Sequence, residues 1–291
     1  MASQNMYDDD LFFEKYSEFP RALKGEKGAS EWPELQQMLP SDLRGRRVLD
    51  LACGEGWFSR WCVSRGAREV DACDISVNML RKAEARTRTA KVEADKCLAG
   101  AEVAPGGVRN GACGEDKGLI NFVRVDMEKL QLRASAYELV FCGLALHYVR
   151  NIANCIAQVY ASLAPGGLFV FSIEHPFLTA PTRPGFTKTA DGEVDQWPVD
   201  SYFDEGERSV NWLVKDVKKQ HRTMSTYFTL LVAAGFEVVK MDEWGAAEER
   251  TRKHPDWVEG VCPRFLMVMA RKKGEAWLPE KRRVAGTRAM R

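Results

Sequence analysis

Apolar and polar positions divide this chain into short runs and helical repeats. Arg47-Val48-Leu49-Asp50-Leu51 is apolar enough for a buried strand and too short for a helix. A glycine-bearing turn, Ala52-Cys53-Gly54-Glu55-Gly56, follows. In the next stretch, Trp57 to Arg65, the residues Trp57, Phe58, Trp61 and Cys62 recur at helical spacing. Glu69 to Cys73 predicts a second strand ending at Asp74, and Ser76 is suited to cap a helix through Met79, Leu80 and Ala83. Further strands are predicted at Ile120–Val125, Glu138–Cys142 and Leu168–Ile173. A helix over Asn151–Leu163 precedes the last of these, with Pro165-Gly166-Gly167 as the turn between them. A helix over Met224–Ala234, closed by Gly235, and strands at Phe236–Met241 and Phe265–Ala270 complete the regular part.

Other stretches break the pattern. The first thirty residues are an irregular, aromatic lead with a potential helix that Pro20 should stop. Trp32 to Leu39 reads as a short helix. Residues 87–118 hold Pro105-Gly106-Gly107, Asn110-Gly111 and Gly114, and read as an inserted surface loop. From Glu174 to His221 the chain reads as irregular and aromatic, and residues 271–291 as a basic flexible tail.

Strands alternating with helices predict an α/β fold, a parallel sheet covered on both faces. Ligands of such sheets bind beyond the carboxyl ends of the strands, where the strand order reverses. Chemistry is therefore expected at Asp50, Asp74, Asp126, Cys142 onward and Glu174. Composition narrows the class. Of 291 residues 45% are hydrophobic, and 42 Lys+Arg face 41 Asp+Glu, which argues against disorder and against nucleic-acid binding by bulk charge. No apolar run approaches the ~20 residues of a membrane helix. The N-terminus reads as neither a signal nor a transit peptide, and none of the eight cysteines forms a C-x-x-C pair, so a cytoplasmic location is the expectation. The four histidines show no i, i+4 pairing, so no metal site is expected.

Glycines at 54 and 56 let a ligand approach the backbone closely. A dinucleotide site is the first guess, but Asp50 would repel a pyrophosphate, and Ser59 stands where a third glycine belongs. A carboxylate before the turn suits an ammonium group instead. Asp74 is placed for a ribose diol and Asp126 for an adenine amino group, although each alone could be a helix cap.

The segments Val48-Leu49-Asp50-Leu51-Ala52-Cys53-Gly54-Glu55-Gly56, Asp74-Ile75-Ser76-Val77-Asn78-Met79-Leu80, Val125-Asp126-Met127 and Leu163-Ala164-Pro165-Gly166-Gly167 carry a family resemblance. In order and spacing the chain resembles class I S-adenosylmethionine-dependent methyltransferases of the type 11 group, which includes quinone-biosynthesis methyltransferases. Flanking motifs, Tyr16-Ser17-Glu18-Phe19-Pro20-Arg21, Glu174-His175-Pro176 and His221-Arg222-Thr223, are similar to a bacterial-style subgroup of small-molecule methyltransferases. The 87–118 insertion and the basic tail depart from the family.

The resemblance implies a Rossmann-like, doubly wound, seven-stranded, mostly parallel sheet with an antiparallel last strand and an aromatic cap. It divides the chain into N-terminal cap helices (1–44), a methyltransferase domain (45–270, with an acceptor-side cap at 174–223) and the tail. It implies S-adenosylmethionine as cofactor, S-adenosylhomocysteine as product, and no metal. Gly54 and Gly56 would contact the methionine part, which Asp50 would face at its amino end. Asp74 would bind the ribose, Ile75 and Met79 would sandwich adenine, and Asp126 with Met127 would hold its edge. Cys142 and Gly143 would lie beside the sulfonium, and Tyr16 and Arg21 would close over the carboxylate.

Transfer then requires alignment of a nucleophile behind the methyl group and exclusion of water. A hydroxyl acceptor would benefit from a base, for which His147 and His175 are the candidates, each with packing as its alternative role. The expected acceptor side comprises Tyr148, Trp197, Tyr202, His221 and Arg222. Its aromatics suit a planar small molecule or merely fill a lid. His221 and Arg222 either meet an acidic or phenolate group or cap the next helix. O-methylation of a small molecule is the leading expectation, by a monomer or homodimer. A protein or RNA methyltransferase, a non-catalytic partner subunit and a dinucleotide-dependent oxidoreductase are the rivals.

Overall fold

The apolar runs form the strands β1 (Arg47–Leu51), β2 (Glu69–Asp74), β3 (Leu119–Arg124), β4 (Tyr137–Gly143), β5 (Leu163–Glu174), β8 (Phe236–Trp244) and β9 (Phe265–Lys272) of one sheet. This is a computed structural model, and it describes residues 3–99, 119–245 and 262–274, the side chains of 89–99 excepted. The sheet order is β3-β2-β1-β4-β5-β9-β8, and β9 runs antiparallel to both its neighbours. The expected seven-stranded, mostly parallel α/β sheet is what forms. Strand order reverses between β1 and β4, which pair in parallel with Asp50 opposite Phe141.

Period-two alternation assigns each strand residue a face. Leu49, Leu51, Val140, Cys142, Phe169 and Phe171 pack on one side with α6 (Ile152–Ser162) and α8 (Met224–Ala234). Val48, Leu139, Phe141 and Val170 pack on the other with α3 (Trp32–Gln37) and α4 (Trp57–Ser64). A sheet covered on both faces needs near-continuous apolar strands, which is why β1, β4 and β5 stand out in the sequence. No described helix is long and apolar enough to cross a membrane.

Three expectations are corrected. The loop expected from residue 87 is still helix, because α5 runs Val77–Ala99 through a stretch of Ala, Lys, Glu and Arg without Gly or Pro. The remainder of that insertion, 100–118, lies outside the described residues, as does the tail beyond 274. Pro165-Gly166-Gly167 is a bulge at the start of β5 rather than a turn. Pairing steps from Tyr137↔Leu163 to Leu139↔Leu168, and Gly166 takes φ +77°. The lead helix does stop before Pro20, as expected: α1 (Asp10–Ser17) ends there, and Pro20 opens α2 (Pro20–Lys24), since proline suits the first turn of a helix. Finally, part of the supposedly irregular 174–221 segment is regular. It holds α7 (Pro176–Thr179) and a hairpin of β6 (Gly206–Trp212) and β7 (Val214–His221).

Candidate functional site

A cavity of about 1070 Å³ spans the carboxyl ends of β1 to β5. Ala52 and Leu144, just past β1 and β4, both hold positive φ (58° and 53°). Non-glycine residues rarely do so, and such strain collects at functional sites. Both line the cavity at the point where strand order reverses.

One half of the cavity is acidic. Asp74 sits at its wall and accepts hydrogen bonds from the backbone N–H of Gly54 at 2.9 Å and of Ser76 at 2.9 Å. Burial raises its carboxyl above the ordinary range, and those two bonds only partly offset this. Ile75, Met79 and Met127 line the same half. Asp126 accepts from Ser3 Oγ at 2.9 and 2.8 Å and from Glu128 N–H at 3.0 Å. Asp50 lies under the glycine turn and bounds a side recess of about 60 Å³ shared with Tyr16, Arg21 and Gly54. It points into the α4 face and accepts from Ser59 Oγ at 2.6 Å; burial pushes its carboxyl up to about 7. Ser59, which spoils the dinucleotide pattern, thus has a role of its own.

Tyr16 lines both spaces, and burial pushes its phenol up to about 12. Arg21 lines both as well, but its Nη2 donates to both oxygens of buried Glu31 at 2.5 and 2.7 Å.

The other half is aromatic, with the Glu174–Lys219 ion pair at its wall. Glu174, at the end of β5, accepts from Lys219 Nζ at 2.6 Å. Lys219 also lies 5.0 Å from the Trp212 ring centroid. Burial alone would raise Glu174, but the surrounding positive charge, with the Lys219 hydrogen bond and Arg264 nearby, holds the carboxyl below its ordinary value. His147 lines this half, buried, beside Tyr148. Its Nδ1 accepts from Glu174 N–H at 3.3 Å, and burial pushes the imidazole down to about 4. That bond leaves the ring proton on Nε2, so the expected base is a neutral donor.

Several expected site residues lie elsewhere. Gly56 does not line the cavity; its absent Cβ would meet Ala83 and Phe122 at 3.1 and 3.2 Å, so it serves packing. Cys142 faces the core beneath α6, and Gly143 alone of that pair reaches the cavity. His175 caps α7, with Nδ1 accepting from Phe177 N–H at 3.2 Å and Nε2 against Glu243 at 2.8 Å. His221 is held between Thr179 Oγ1 and the Tyr202 carbonyl, both at 2.9 Å. Arg222 donates to the carbonyls of Val149 and Arg150 at 2.7 and 2.8 Å. Trp197 donates to the Phe177 carbonyl at 2.8 Å, and Tyr202 accepts from Met224 N–H at 3.2 Å. None of these five lines the cavity. Their polar atoms pair elsewhere in the fold, except that Arg222 Nη1 has no hydrogen-bond partner.

The wall is instead built by Tyr7, Phe12 and Phe19 from the N-terminal lead and by Trp212 and Lys218 from the hairpin. Sequence reasoning missed Tyr7 and Lys219. Alternation along β7 buries Val217, Lys219 and His221 together, and that was the legible signal for Lys219. Among the described residues no group of three or more His, Cys, Asp or Glu is arranged to hold a metal ion.

A doubly wound sheet with carboxylates at successive strand ends and one shared cavity defines a nucleoside-dependent α/β enzyme. The comparisons agree. The family model described as a methyltransferase domain matches residues 49–171. A crystal structure of an S-adenosylmethionine-dependent methyltransferase from Mesorhizobium loti is 37% identical, with 85% of this chain and 100% of that one covered and a TM-score of 0.69. A putative methyltransferase of the same kind from Listeria monocytogenes is 31% identical, covering 84% and 99%, with a TM-score of 0.67. A malonyl-[acyl-carrier protein] O-methyltransferase from Enterobacter lignolyticus is 30% identical over 129 residues, 44% of this chain and 39% of its own. The chain belongs to the S-adenosylmethionine-dependent methyltransferases, and it is an enzyme of the class I, type 11 group.

Proposed function

We propose that this enzyme methylates a small, aromatic or otherwise planar acceptor, with oxygen the favoured nucleophile. The observation that carries the reading is the continuity of the cavity, in which an acidic half and an aromatic half share one volume. The residues present fit the cofactor. Asp74, fixed by two backbone N–H groups, has further lone pairs for a ribose diol. Ile75, Met79 and Met127 offer apolar faces for adenine, and Asp126 an acceptor for its amino edge. Gly54 has nothing within 4 Å of its Cβ position, which leaves room for the methionine part. Asp50, Tyr16 and Arg21 bound the recess beside it.

When bound, the cofactor supplies a methyl group made electrophilic by its sulfonium. The chain's own task is to hold the acceptor in line and keep water out, and orientation of this kind is worth roughly 7–11 kcal/mol in favourable cases. The relative named as an O-methyltransferase supports oxygen as the target. The near-zero net charge favours a small molecule over nucleic acid. We place the enzyme in the cytoplasm as a monomer or homodimer. Calorimetry with S-adenosylmethionine, S-adenosylhomocysteine and NAD tests the cavity assignment. Both adenosyl ligands should bind and NAD should not. Binding of NAD alone, or unchanged adenosyl affinity in Asp74→Ala, would overturn it.

A further inference from the structure

Resting on that reading of the cavity, we propose that Glu174 is the catalytic base, and that the acceptor therefore presents a neutral hydroxyl rather than a carboxylate. Glu174 ends β5 on the cavity wall, across the switch point from Asp74. Its side chain is 23% exposed, whereas that of Lys219 behind it is 7% exposed. Lys219 uses one carboxylate oxygen, Oε1. The other, Oε2, has no partner among the described residues. A half-satisfied carboxylate opening into an aromatic cavity asks for a hydrogen-bond donor.

The neighbours decide which donor. Lys219 from β7 already balances the charge of Glu174. His147 and Tyr148 approach from the turn after β4, Arg264 from the segment before β9, and Tyr227 from α8. His147 spends its lone pair on Glu174 N–H and carries its proton on Nε2, so it orients and cannot accept. A carboxylate acceptor would meet the ionised oxygen of Glu174 as a like charge. A neutral hydroxyl would donate to it.

The step balances. The acceptor's O–H bond breaks and its proton passes to Oε2 of Glu174. An oxygen electron pair forms the new O–C bond. The S–C bond breaks with its electrons left on sulfur, as a neutral thioether. Lys219 keeps Glu174 ionised until the transfer, and the proton then leaves to solvent.

The test uses the full chain, tritiated-methyl S-adenosylmethionine, and a library of small phenols matched with the corresponding aromatic carboxylates. Phenols should be labelled and carboxylates should not. On the best phenol, Glu174→Gln should lower kcat by about a hundredfold or more, the range expected for a lost general base. Its affinity for S-adenosylhomocysteine should stay within about twofold, since Glu174 is placed on the acceptor half. Glu174→Asp should restore part of the rate. Lys219→Met should move the acid limb of kcat/KM to higher pH, because loss of the ammonium raises the carboxyl. Labelling of carboxylates only, labelling of no phenol, or wild-type kcat in Glu174→Gln overturns the proposal. If Glu174→Gln fails to fold, the Lys219→Met profile decides, and an unmoved acid limb overturns it. Failure of the wild-type chain to bind S-adenosylhomocysteine would instead overturn the underlying cavity assignment.

Discussion

Asp50 and His147 carry opposite electrostatic burdens. Burial is the largest influence on each, and it pushes the Asp50 carboxyl up to about 7 and the His147 imidazole down to about 4. Between pH 4 and 7 the folded chain holds the Asp50 proton that the unfolded chain has released, so this group makes stability fall as pH rises. Over much of the same window the unfolded chain binds a proton at His147 that the folded chain refuses, so this group makes stability rise with pH. At their limits they are worth about 4 kcal/mol for Asp50 and about 3 kcal/mol for His147, with opposite sign, so the two largely cancel. Urea unfolding at pH 4.5 and 7 should expose them separately. Asp50→Asn should become more stable relative to wild type as pH rises, and His147→Gln more stable relative to wild type as pH falls. Asp50 also makes a binding prediction. A cofactor ammonium beside it would favour the carboxylate and expel its proton. Calorimetric enthalpies of S-adenosylmethionine binding at pH 6 should therefore depend on the buffer's ionisation enthalpy, with proton release. The release should be absent in Asp50→Asn. Equal enthalpies in all buffers at pH 6 would place the ammonium away from Asp50.

The elements around the glycine turn separate roles that the motif runs together. Gly54 and Gly56 both take positive φ, at 52° and 72°, but only Gly54 lines the cavity. Gly56 begins α4 in a left-handed conformation against Ala83 and Phe122. A Cβ there costs about 1–2 kcal/mol in backbone strain alone. Gly56→Ala should thus lower the unfolding midpoint while the folded fraction binds S-adenosylhomocysteine nearly as before; loss of affinity without loss of stability would return Gly56 to the ligand. The same separation explains what was legible in the sequence. The strands β1, β4 and β5 and the strand-end carboxylates follow from apolar runs and their stops, which are local. The β6–β7 hairpin was hidden because its exposed positions, Glu207, Ser209, Asn211, Lys215 and Asp216, are polar residues of low strand propensity, and its turn uses Leu213 at φ +61° where glycine is expected. The acceptor wall was assigned to residues 174–223 on aromatic content. The side chains of His175, His221, Arg222 and Trp197 were instead claimed by partners that no spacing reveals. Which aromatic groups meet is a tertiary fact. Phe12 and Phe19 reach Trp212 at ring distances of 5.4 and 6.3 Å from the far end of the chain.

The whole molecule is closed by its own N-terminal lead. Ser3 donates to both oxygens of Asp126 at 2.9 and 2.8 Å, at the acidic end of the cavity. Gln4 brackets the backbone of Lys218 on the hairpin, donating at 3.2 Å and accepting at 2.8 Å. Asp8 accepts from Ser76 Oγ at 2.6 Å and from Asn78 N–H at 3.1 Å, where α5 begins. Residues 3–8 therefore join both halves of the site across its opening, and an acid at the start of α5 suits the helix dipole. These contacts differ in what a bound adenosyl group does to them. Ser3 occupies the carboxylate proposed for the adenine amino edge and competes with it. Asp8 contacts nothing proposed for the ligand and anchors the strap. Ser3→Ala should leave S-adenosylhomocysteine affinity unchanged or slightly higher. Asp8→Ala should cost about 1 kcal/mol of stability, as a lost cap does. Deletion of residues 2–9 should leave the sheet folded, because no residue of β1 to β9 or of the sheet-facing helices is removed, yet speed S-adenosylhomocysteine dissociation roughly tenfold, the equivalent of ~1.4 kcal/mol. Stopped-flow displacement measures that rate directly. A truncated chain with the wild-type off-rate would show that the lead roofs the cavity without holding the ligand, and the closure would then have to be sought in the hairpin.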